Sequence, residues 1–219
     1  MKIYGDRGSS NTRRVLTTAA YMGLEVEFVF LDLFSGQNRT PEYLALNPNG
    51  TIPTFVDGDV VLFEASAIMI YLAEQAGSSM LPSGKARYET LKWMFWAAEH
   101  FRRGPTVLIE QRFIERLKDH AADRTLEAEA LHAIHRYTAV LDGHLRTRRF
   151  MVGDALTLAD IDLAAPLSHI PRTQAPFLDY PHVAAWYERI NGILEWQQSG
   201  LAQECRISEI ETMFSPQPA

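Results

Sequence analysis

The chain is poor in cysteine, and its 219 residues include one, Cys205, near the C-terminus. A single cysteine excludes an intramolecular disulfide, a Cys-x-x-Cys redox pair and a zinc site built from several cysteines. Long apolar runs are also missing, because nothing approaches the ~18 to 20 residues of a membrane span and no signal-peptide core follows Met1. We therefore expect a cytoplasmic protein with no membrane partner.

Histidine is missing from the first 99 residues, although the whole chain has seven. A histidine base or a histidine-bound metal is therefore excluded from the first part of the chain. His132 and His135 have the spacing of one helix face, but no acidic or cysteine partner accompanies them, so we expect no metal site. The formal net charge of −6 also argues against nucleic acid as a partner.

What the chain does have is an ordinary globular composition, 47% hydrophobic and 22% charged. The first 77 residues alternate strand and helix patterns in the order β-α-β-α-β-β-α, and Asp57-Gly58 between the last two strands is a strong hairpin signal. This order predicts a four-stranded mixed sheet with helices on its faces. The predicted segments are Lys2–Tyr4, Asn11–Met22, Val26–Leu33, Pro41–Leu46, Thr54–Val56, Val60–Phe63 and Ala65–Gln75.

Residues 78–84 are the best linker candidate, because the strand patterns end there. From residue 85 to residue 219 we expect a second, all-helical domain, so the fold class is α/β followed by all-α. Thr157 and Asp160 fit a capping box at the start of one helix, and prolines at 171, 176 and 181 predict a non-helical connection. The predicted helices are Ala86–Phe101, Thr106–His120, Thr125–Leu145, Leu158–Ser168 and His182–Ile193.

Two short segments of the first domain suit either a structural role or ligand binding. Ser9-Ser10-Asn11-Thr12 opens the first helix, where such residues are usually N-caps, but a helix N-terminus with hydroxyl donors also holds anions such as a thiolate. In one interpretation Pro53 is an ordinary edge or turn residue. In the other, a cis bond after Ile52 turns the Ile52 backbone toward an extended, peptide-like ligand.

A third segment, Glu64-Ala65-Ser66, opens the helix that follows the hairpin. An acidic residue at this place is normally a partner of the helix dipole. With a ligand present, the helix N-terminus can take a carboxylate while Glu64 takes an ammonium, which would clamp both groups of an amino-acid end.

Four motifs in this order and spacing resemble the glutathione transferase superfamily, and within it the plant phi class and the bacterial serine-type enzymes. The resemblance covers about residues 2 to 195. It implies a thioredoxin-like glutathione-binding domain followed by a helical bundle. The matching stretches are Tyr4-Gly5 through Ser9 to Val15, Pro41 through Thr54, Asp57 through Ile68, and Phe150 through Ile161.

The resemblance implies a role for each matching residue. Ser9 falls on the catalytic serine whose hydroxyl stabilises the glutathione thiolate, and Asn11 falls on a second donor to the sulfur. Ala65 departs from the family, which has a serine there that binds the γ-glutamyl carboxylate, and the lost hydrogen bond costs about 1.5 to 3 kcal/mol. The implied glutathione-binding residues are Asn38, Arg39, Thr51, Ile52, Pro53, Glu64, Ala65 and Ser66.

The second substrate of this family lies between the two domains, against the first long helix of the second. For this chain the resemblance implies a pocket for a hydrophobic electrophile, although the tryptophans also fit an inter-domain core. The tail from Leu201 to Ala219 either folds over this pocket or extends away from it. The implied pocket residues are Trp96, His100, Phe101 and Arg103.

The implied function is that of a glutathione transferase, with glutathione as co-substrate, no metal, a homodimeric assembly and a role in detoxification. One alternative is a non-catalytic binding or regulatory protein of the same fold, which Ala65 favours and which Ser9 and Glu64 oppose. Another is a specialised glutathione-dependent lyase, isomerase or dehalogenase. Because Ser9 and Ser10 offer hydroxyls where thiol-exchange relatives have a cysteine, we expect the reactive sulfur to arrive with the ligand.

Overall fold

The computed structural model of the chain describes residues 1–200. The predictions that concern Cys205 and the tail Leu201–Ala219 therefore lie outside the described residues.

A four-stranded sheet in the order β2-β1-β3-β4 forms the first domain. Strand β1 (Lys2–Gly5) pairs in parallel with β2 (Glu27–Phe30) and antiparallel with β3 (Thr54–Asp57), and β4 (Val60–Phe63) pairs antiparallel with β3. Because β1 and β3 run in opposite directions, the end of β1 and the start of β3 meet at one edge of the sheet. The loops that leave β1 and enter β3 are therefore neighbours.

Three α-helices and a 3₁₀ turn complete this domain, namely α1 (Ser10–Tyr21), the 3₁₀ turn Gln37–Arg39, α2 (Pro41–Leu46) and α3 (Ala65–Gln75). Helices α1 and α3 pack against each other. Apolar side chains from the strands and these helices fill the core; Ile3, Val15, Phe55, Ile68 and Leu72 are fully buried. This arrangement confirms the predicted element order.

Gly5 allows α1 to lie close to the end of β1. A Cβ atom at this position would come within 2.6 Å of the Thr12 hydroxyl oxygen, closer than packed atoms approach. The absence of a side chain at Gly5 therefore sets how near the start of α1 comes to the sheet edge.

Helices make up the second domain throughout the described part of the chain. Two turns of π-helix, Ala97–Phe101 and Glu110–Ile114, and two turns of 3₁₀ helix, Ala165–His169 and Pro176–Asp179, join some of the α-helices. A last helical segment covers 194–200. The α-helices are α4 (Gly84–Trp96), α5 (Arg103–Ile109), α6 (Glu115–Leu117), α7 (Arg124–Leu145), α8 (Leu158–Ala164), α9 (Ile170–Thr173) and α10 (Pro181–Asn191).

The prolines at 171, 176 and 181 do not prevent helix formation, so the prediction of a non-helical connection there is wrong. Each proline stands in the first turn of a helical segment, α9, the 3₁₀ turn Pro176–Asp179 or α10. Proline is tolerated at that position because its missing N–H would have no partner inside the helix anyway.

The predicted linker is anchored in the protein. Met80 and Leu81 are buried in the core, and the carbonyl oxygen of Met80 accepts a hydrogen bond of 2.9 Å from the backbone N–H of Leu158. This bond joins the connecting segment to the first residue of α8. The connection between the domains is therefore packed and hydrogen-bonded to the second domain.

The capping box predicted at the start of α8 is present. The buried Asp160 carboxylate accepts hydrogen bonds from the backbone N–H and the hydroxyl of Thr157, both at 2.9 Å. Its other oxygen accepts from the backbone N–H of Met151 at 2.8 Å and from the indole N–H of Trp186 at 2.9 Å. One side chain thus joins α8, the loop before it and α10.

Replacing Asp160 with alanine should strongly destabilise the fold, because four buried donors lose their acceptor at once. We expect the Asp160→Ala variant to lose about 3 kcal/mol or more of unfolding free energy, measured by urea denaturation. The exposed Asp154 supplies the matched control, since Asp154→Ala should change stability little. Equal stability of the two variants would contradict this role of the capping box.

Candidate functional site

A cleft of about 670 Å³ separates the two domains. One wall comes from the loops at the sheet edge where β1 ends and β3 begins, and the other from helices of the second domain. From the first domain the cleft is lined by Asp6, Gly8, Ser9, Ser10, Asn11, Leu33, Phe34, Asn38, Gly50, Thr51 and Ile52. From the second it is lined by Arg102, Pro105, Thr106, Ile109, Glu110, Phe113, Ile114, Lys118, Pro166, His169 and Arg172.

Ser9 is the N-cap of α1 and also faces the cleft. Its hydroxyl oxygen accepts a long hydrogen bond, 3.5 Å, from the backbone N–H of Thr12. A hydroxyl that accepts at its oxygen still has its own hydrogen to donate. The capping role and the predicted thiolate-binding role are therefore compatible in one side chain.

Asn11 is the second residue of the same helix and lines the cleft as well. A guanidinium N–H of Arg14 donates to its side-chain oxygen at 2.8 Å. Since a guanidinium has no acceptor, this contact fixes the amide with its oxygen toward Arg14 and its NH₂ group away from it. Asn11 is thereby oriented as a donor rather than an acceptor.

Arg14 belongs to a buried ion cluster between the domains. It forms an ion pair with Asp162 of α8, and Arg102 lies 2.9 Å from the same carboxylate. Burial, the largest effect on Asp162, raises its pKa, but the charges of Arg102 and Arg14 outweigh burial and hold the pKa below its ordinary value. Burial and the charge of Arg102 lower the pKa of Arg14 to about 10, so both partners stay ionised at neutral pH.

The loop before β3 is held by hydrogen bonds to the Thr51 carbonyl oxygen. It accepts from the Tyr43 hydroxyl at 2.6 Å and from the Asn47 side chain at 2.9 Å. The Asn38 amide donates to the Gly50 carbonyl oxygen at 2.7 Å, and the Ile52–Pro53 peptide bond is cis. The loop is therefore braced on its inner side.

Ile52 is the residue of this loop whose backbone polar groups are available to a ligand. Within residues 1–200, neither its backbone N–H nor its C=O makes a hydrogen bond. Ile52 lines the cleft just before the start of β3. An extended ligand can therefore pair with it as an added strand.

The start of α3 carries the third predicted segment. Glu64 has φ 70 and ψ 105, a conformation that costs a residue with a side chain about 1 to 3 kcal/mol. Among residues 1–200 no side chain caps this helix, so its first N–H groups stay available to an anion. The Ser66 hydroxyl accepts from Arg14 at 2.7 Å and lies 3.3 Å from Asp162, so it belongs to the ion cluster.

The cleft brings together only part of the predicted site. Ser9, Asn11, Asn38, Thr51 and Ile52 line it. The guanidinium of Arg39 lies against Gly50, because a Cβ atom at Gly50 would be 2.8 Å from its Nη1. The remaining residues predicted to bind glutathione are outside the cleft lining, and these are Pro53, Glu64, Ala65 and Ser66.

The residues predicted for the electrophile pocket are placed elsewhere. Phe101 is fully buried and packs against Trp96 and Phe177. His100 is exposed and stacks on Tyr137, and Arg103 is exposed. In the described part of the chain, the cleft lining includes none of Trp96, His100, Phe101 and Arg103. The wall is formed instead by Arg102 and by residues beginning at Pro105.

The π turn Ala97–Phe101 changes the helical phase after α4. The prediction continued one α-helical period through residue 103, but a π turn contains an additional residue, so each residue after it takes the direction that the preceding residue would have in a regular α-helix. Arg102 therefore takes the direction that an uninterrupted helix would give to residue 101. No sequence signal that we recognise marks this turn.

His169 and Arg172 were not predicted as site residues, although both line the cleft. They lie where the prolines suggested an irregular connection, so no helical face was assigned to them. Among residues 1–200 no group of three or more potential metal ligands is found, and no helix there is long and apolar enough to cross a membrane.

Comparison with known proteins places this architecture in a family. Residues 1–74 match the family described as glutathione S-transferase, N-terminal domain, and residues 105–193 match glutathione S-transferase, C-terminal domain. Glutathione S-transferase 3 of Zea mays is 34% identical over 196 residues, which is 87% of this chain and 88% of the relative.

Solved structures agree with this assignment. The theta class glutathione S-transferase from Xanthomonas axonopodis pv. citri, with glutathione bound, is 29% identical and covers 91% of this chain and 96% of its own, with a TM-score of 0.84. Glutathione transferase F7 from Populus trichocarpa is 26% identical, and the match covers 92% of this chain and 98% of the poplar chain, with a TM-score of 0.87.

The chain has a two-domain fold with an inter-domain cleft and a serine at the N-terminus of α1, and its sequence matches both domains of one enzyme class. It belongs to the glutathione S-transferase family. The predicted superfamily, fold class and transferase function are thereby confirmed.

Removing the shared carboxylate should break the ion cluster. Asp162→Ala leaves Arg14 and Arg102 buried without a counter-charge, and we expect a loss of about 3 to 5 kcal/mol in unfolding free energy. The exposed Arg87–Glu74 pair is the matched control, and Glu74→Ala should cost less than ~1 kcal/mol.

The pH dependence provides a second measurement on the same variant. Because the pKa of Asp162 is lower in the folded chain than its ordinary 3.8, the unfolded chain binds the proton first as the pH falls. The stability that this carboxylate supplies is therefore present at neutral pH and lost as the pH falls through the folded pKa. In the Asp162→Ala variant, the unfolding free energy should therefore fall less steeply as the pH is lowered. A fall as steep as that of the wild type would contradict the stabilising role of the Asp162 carboxylate.

Proposed function

We propose that Ser9 and Asn11 hold the sulfur of glutathione as a thiolate and present it to an electrophile in the cleft. The observation that carries this proposal is the Ser9 hydroxyl at the N-terminus of α1, facing the cleft and free to donate. The partial positive charge of the helix N-terminus adds to the stabilisation of an anion there. Both effects favour the thiolate, which is the nucleophilic form, over the thiol.

The reaction needs no covalent bond to the protein. The glutathione thiol loses its proton to solvent, and the thiolate forms a new sulfur–carbon bond. In a substitution, the bond from that carbon to its leaving group breaks and the leaving group takes the electron pair. In an addition, the electron pair moves onto the acceptor and is protonated by solvent. Positioning and sulfur ionisation then account for the rate.

The backbone of Ile52 is suited to the peptide part of glutathione. Its unpaired N–H and C=O would form two hydrogen bonds with the cysteinyl unit, as a neighbouring strand does. Arg39, whose guanidinium lies beside the cleft residue Gly50, would meet the glycine carboxylate. Asn38 contributes by holding the Gly50 carbonyl oxygen and Thr51 by anchoring the loop.

The γ-glutamyl end would rest on the start of α3. Glu64 is exposed and can take the ammonium group, while the uncapped N–H groups at Ala65 and Ser66 can take the carboxylate. Ala65 provides no hydroxyl, and the Ser66 hydroxyl already serves the ion cluster. Backbone donors therefore replace the family serine in this proposal.

The electrophile would bind on the wall of the second domain. Pro105, Ile109, Phe113 and Ile114 supply apolar surface, and Leu33 and Phe34 face them from the first domain. Such a surface accommodates hydrophobic compounds, which supports a role in detoxification. A thiol co-substrate also requires a reducing compartment, and this supports a cytoplasmic location.

A homodimer would cover the exposed apolar face of α4. Tyr88 is 73% exposed and Phe95 is 64% exposed. They lie seven residues apart, which places them on the same face of the helix, with the half-buried Leu91 between them. We propose that a second copy packs on this face.

Ser9→Ala tests the proposed thiolate donor. Losing a hydrogen bond to a charged acceptor should raise the pKa of bound glutathione by about one to two pH units and lower kcat/KM roughly 10- to 100-fold. The thiolate absorbance of bound glutathione, titrated with pH, measures the first effect. Ser10→Ala is the matched control and should leave the thiol pKa close to wild type.

Two different outcomes of this experiment would contradict the proposal, and they can be told apart. Wild-type protein that does not bind glutathione would overturn the proposed function itself. Binding with an unchanged thiol pKa in Ser9→Ala would transfer the role to Asn11 or Ser10.

The dimer proposal is tested by placing charge on α4. Tyr88→Glu and Phe95→Glu should shift the protein from dimer to monomer in analytical ultracentrifugation, because a buried unpaired carboxylate opposes association. Leu194 is exposed in the last helical segment, and Leu194→Glu should leave the assembly unchanged. A monomeric wild type, or dimers of all three variants, would refute this interface.

A further inference from the structure

His169 is a cleft residue that the proposed thiolate chemistry does not use. It ends the 3₁₀ turn Ala165–His169, which packs against α1. The residue keeps 9% of its surface exposed and lines the cleft. Its backbone is fixed, because its carbonyl oxygen accepts a hydrogen bond of 2.9 Å from the Thr173 hydroxyl.

A neighbouring arginine determines which ring nitrogen of His169 carries hydrogen. Nη1 of Arg172 lies 2.7 Å from Nδ1 of His169. A guanidinium donates hydrogen bonds and cannot accept them, so Nδ1 must be the unprotonated acceptor. In the neutral ring the hydrogen is then on Nε2.

The ring stays neutral through the physiological range. Burial lowers the pKa of His169 to about 3, and the charges of Arg172 and Arg13 act in the same direction. The other charged side chains of the cleft are Asp6, Arg102, Glu110 and Lys118. Three of these are paired with an opposite charge, because Arg102 is paired with Asp162, and Lys118 and Glu110 are paired with each other.

Nε2 has no hydrogen-bond partner in residues 1–200, whereas Nδ1 is occupied by Arg172. The Arg172 guanidinium also lies 5.2 Å from the centre of the Phe113 ring, which holds it from a second side. The imidazole is therefore fixed in ring orientation and in tautomer. Its one remaining polar atom is a donor.

We propose that the Nε2–H group of His169 donates a hydrogen bond to the electrophile and selects compounds whose carbonyl or nitro oxygen gains negative charge as the thiolate attacks. This inference rests on the proposed function of the cleft. Pro105, Ile109 and Phe113 make the surroundings largely apolar, and a hydrogen bond to a developing charge is stronger there than in water. His169 is thus a specificity-determining residue.

The test compares two electrophiles with each variant. 1-Chloro-2,4-dinitrobenzene gains charge on its nitro oxygens when sulfur attacks, whereas benzyl bromide has no oxygen acceptor. His169→Phe keeps a ring but loses the donor, so the ratio of kcat/KM for the first compound over the second should fall about 10- to 100-fold. His169→Gln, whose amide can donate from a similar position, should recover part of that ratio.

The controls separate this role from a structural one. His132 is exposed on α7 and outside the cleft lining, so His132→Phe should keep the wild-type ratio. Arg172→Met removes the contact that fixes the tautomer and should lower the ratio partially. It also serves as the test if His169→Phe does not fold.

The outcomes distinguish a failure of the selective role of His169 from a failure of the proposed glutathione transferase function. An equal loss on both electrophiles in His169→Phe, or no recovery in His169→Gln, would overturn the selective role of His169. Wild-type protein that ionises bound glutathione but shows the same ratio as His169→Phe would also overturn it, while leaving the proposed function intact. Wild-type protein that does not ionise glutathione would overturn the proposed function instead.

Discussion

The buried carboxylate of Asp162 between two guanidinium groups is the interaction on which the rest of the site depends. Arg14 reaches it from the first domain, and Arg102 reaches it from the cleft wall of the second. A buried charge must keep its partners, because removing one leaves the others uncompensated in a poor solvent for ions. The cluster therefore holds the two domains in one relative position.

The geometry of the proposed thiolate site follows from the same cluster. Arg14 uses one nitrogen for Asp162 and another for the Asn11 side-chain oxygen, so docking of the domains also orients the Asn11 amide toward the cleft. The proposed thiolate site on α1 is thus complete only when the helical domain is in place. On the opposite wall Arg172 orients His169 in a similar way, so that each wall has a donor whose direction an arginine determines.

Sequence reasoning succeeded where a short local pattern has one structural outcome. The Asp-Gly hairpin, the Ser9 N-cap and the capping box at Thr157 and Asp160 all depend on residues a few positions apart, and all are present. The ion cluster could not be predicted this way, because Arg14 and Asp162 are 148 residues apart and only the packed fold joins them. The cleft wall of the second domain was not predicted, because a π turn that no residue type marks changed the helical phase before Arg102, and because His169 and Arg172 lie among prolines that suggested a non-helical connection.

The two π turns, Ala97–Phe101 and Glu110–Ile114, flank α5 on both sides. Each contains one residue more than an α-helical turn, and the wider turn takes up that residue without changing the direction in which the following helix faces. Deleting one residue there would return the segment to regular α-helix and leave the following helix facing the same way, because the lag of the π turn and the lost residue each amount to roughly 100°. Arg102, Pro105 and Ile109 would go on lining the cleft. This wall can therefore change in length at its π turns while the side chains that it presents to the cleft stay the same.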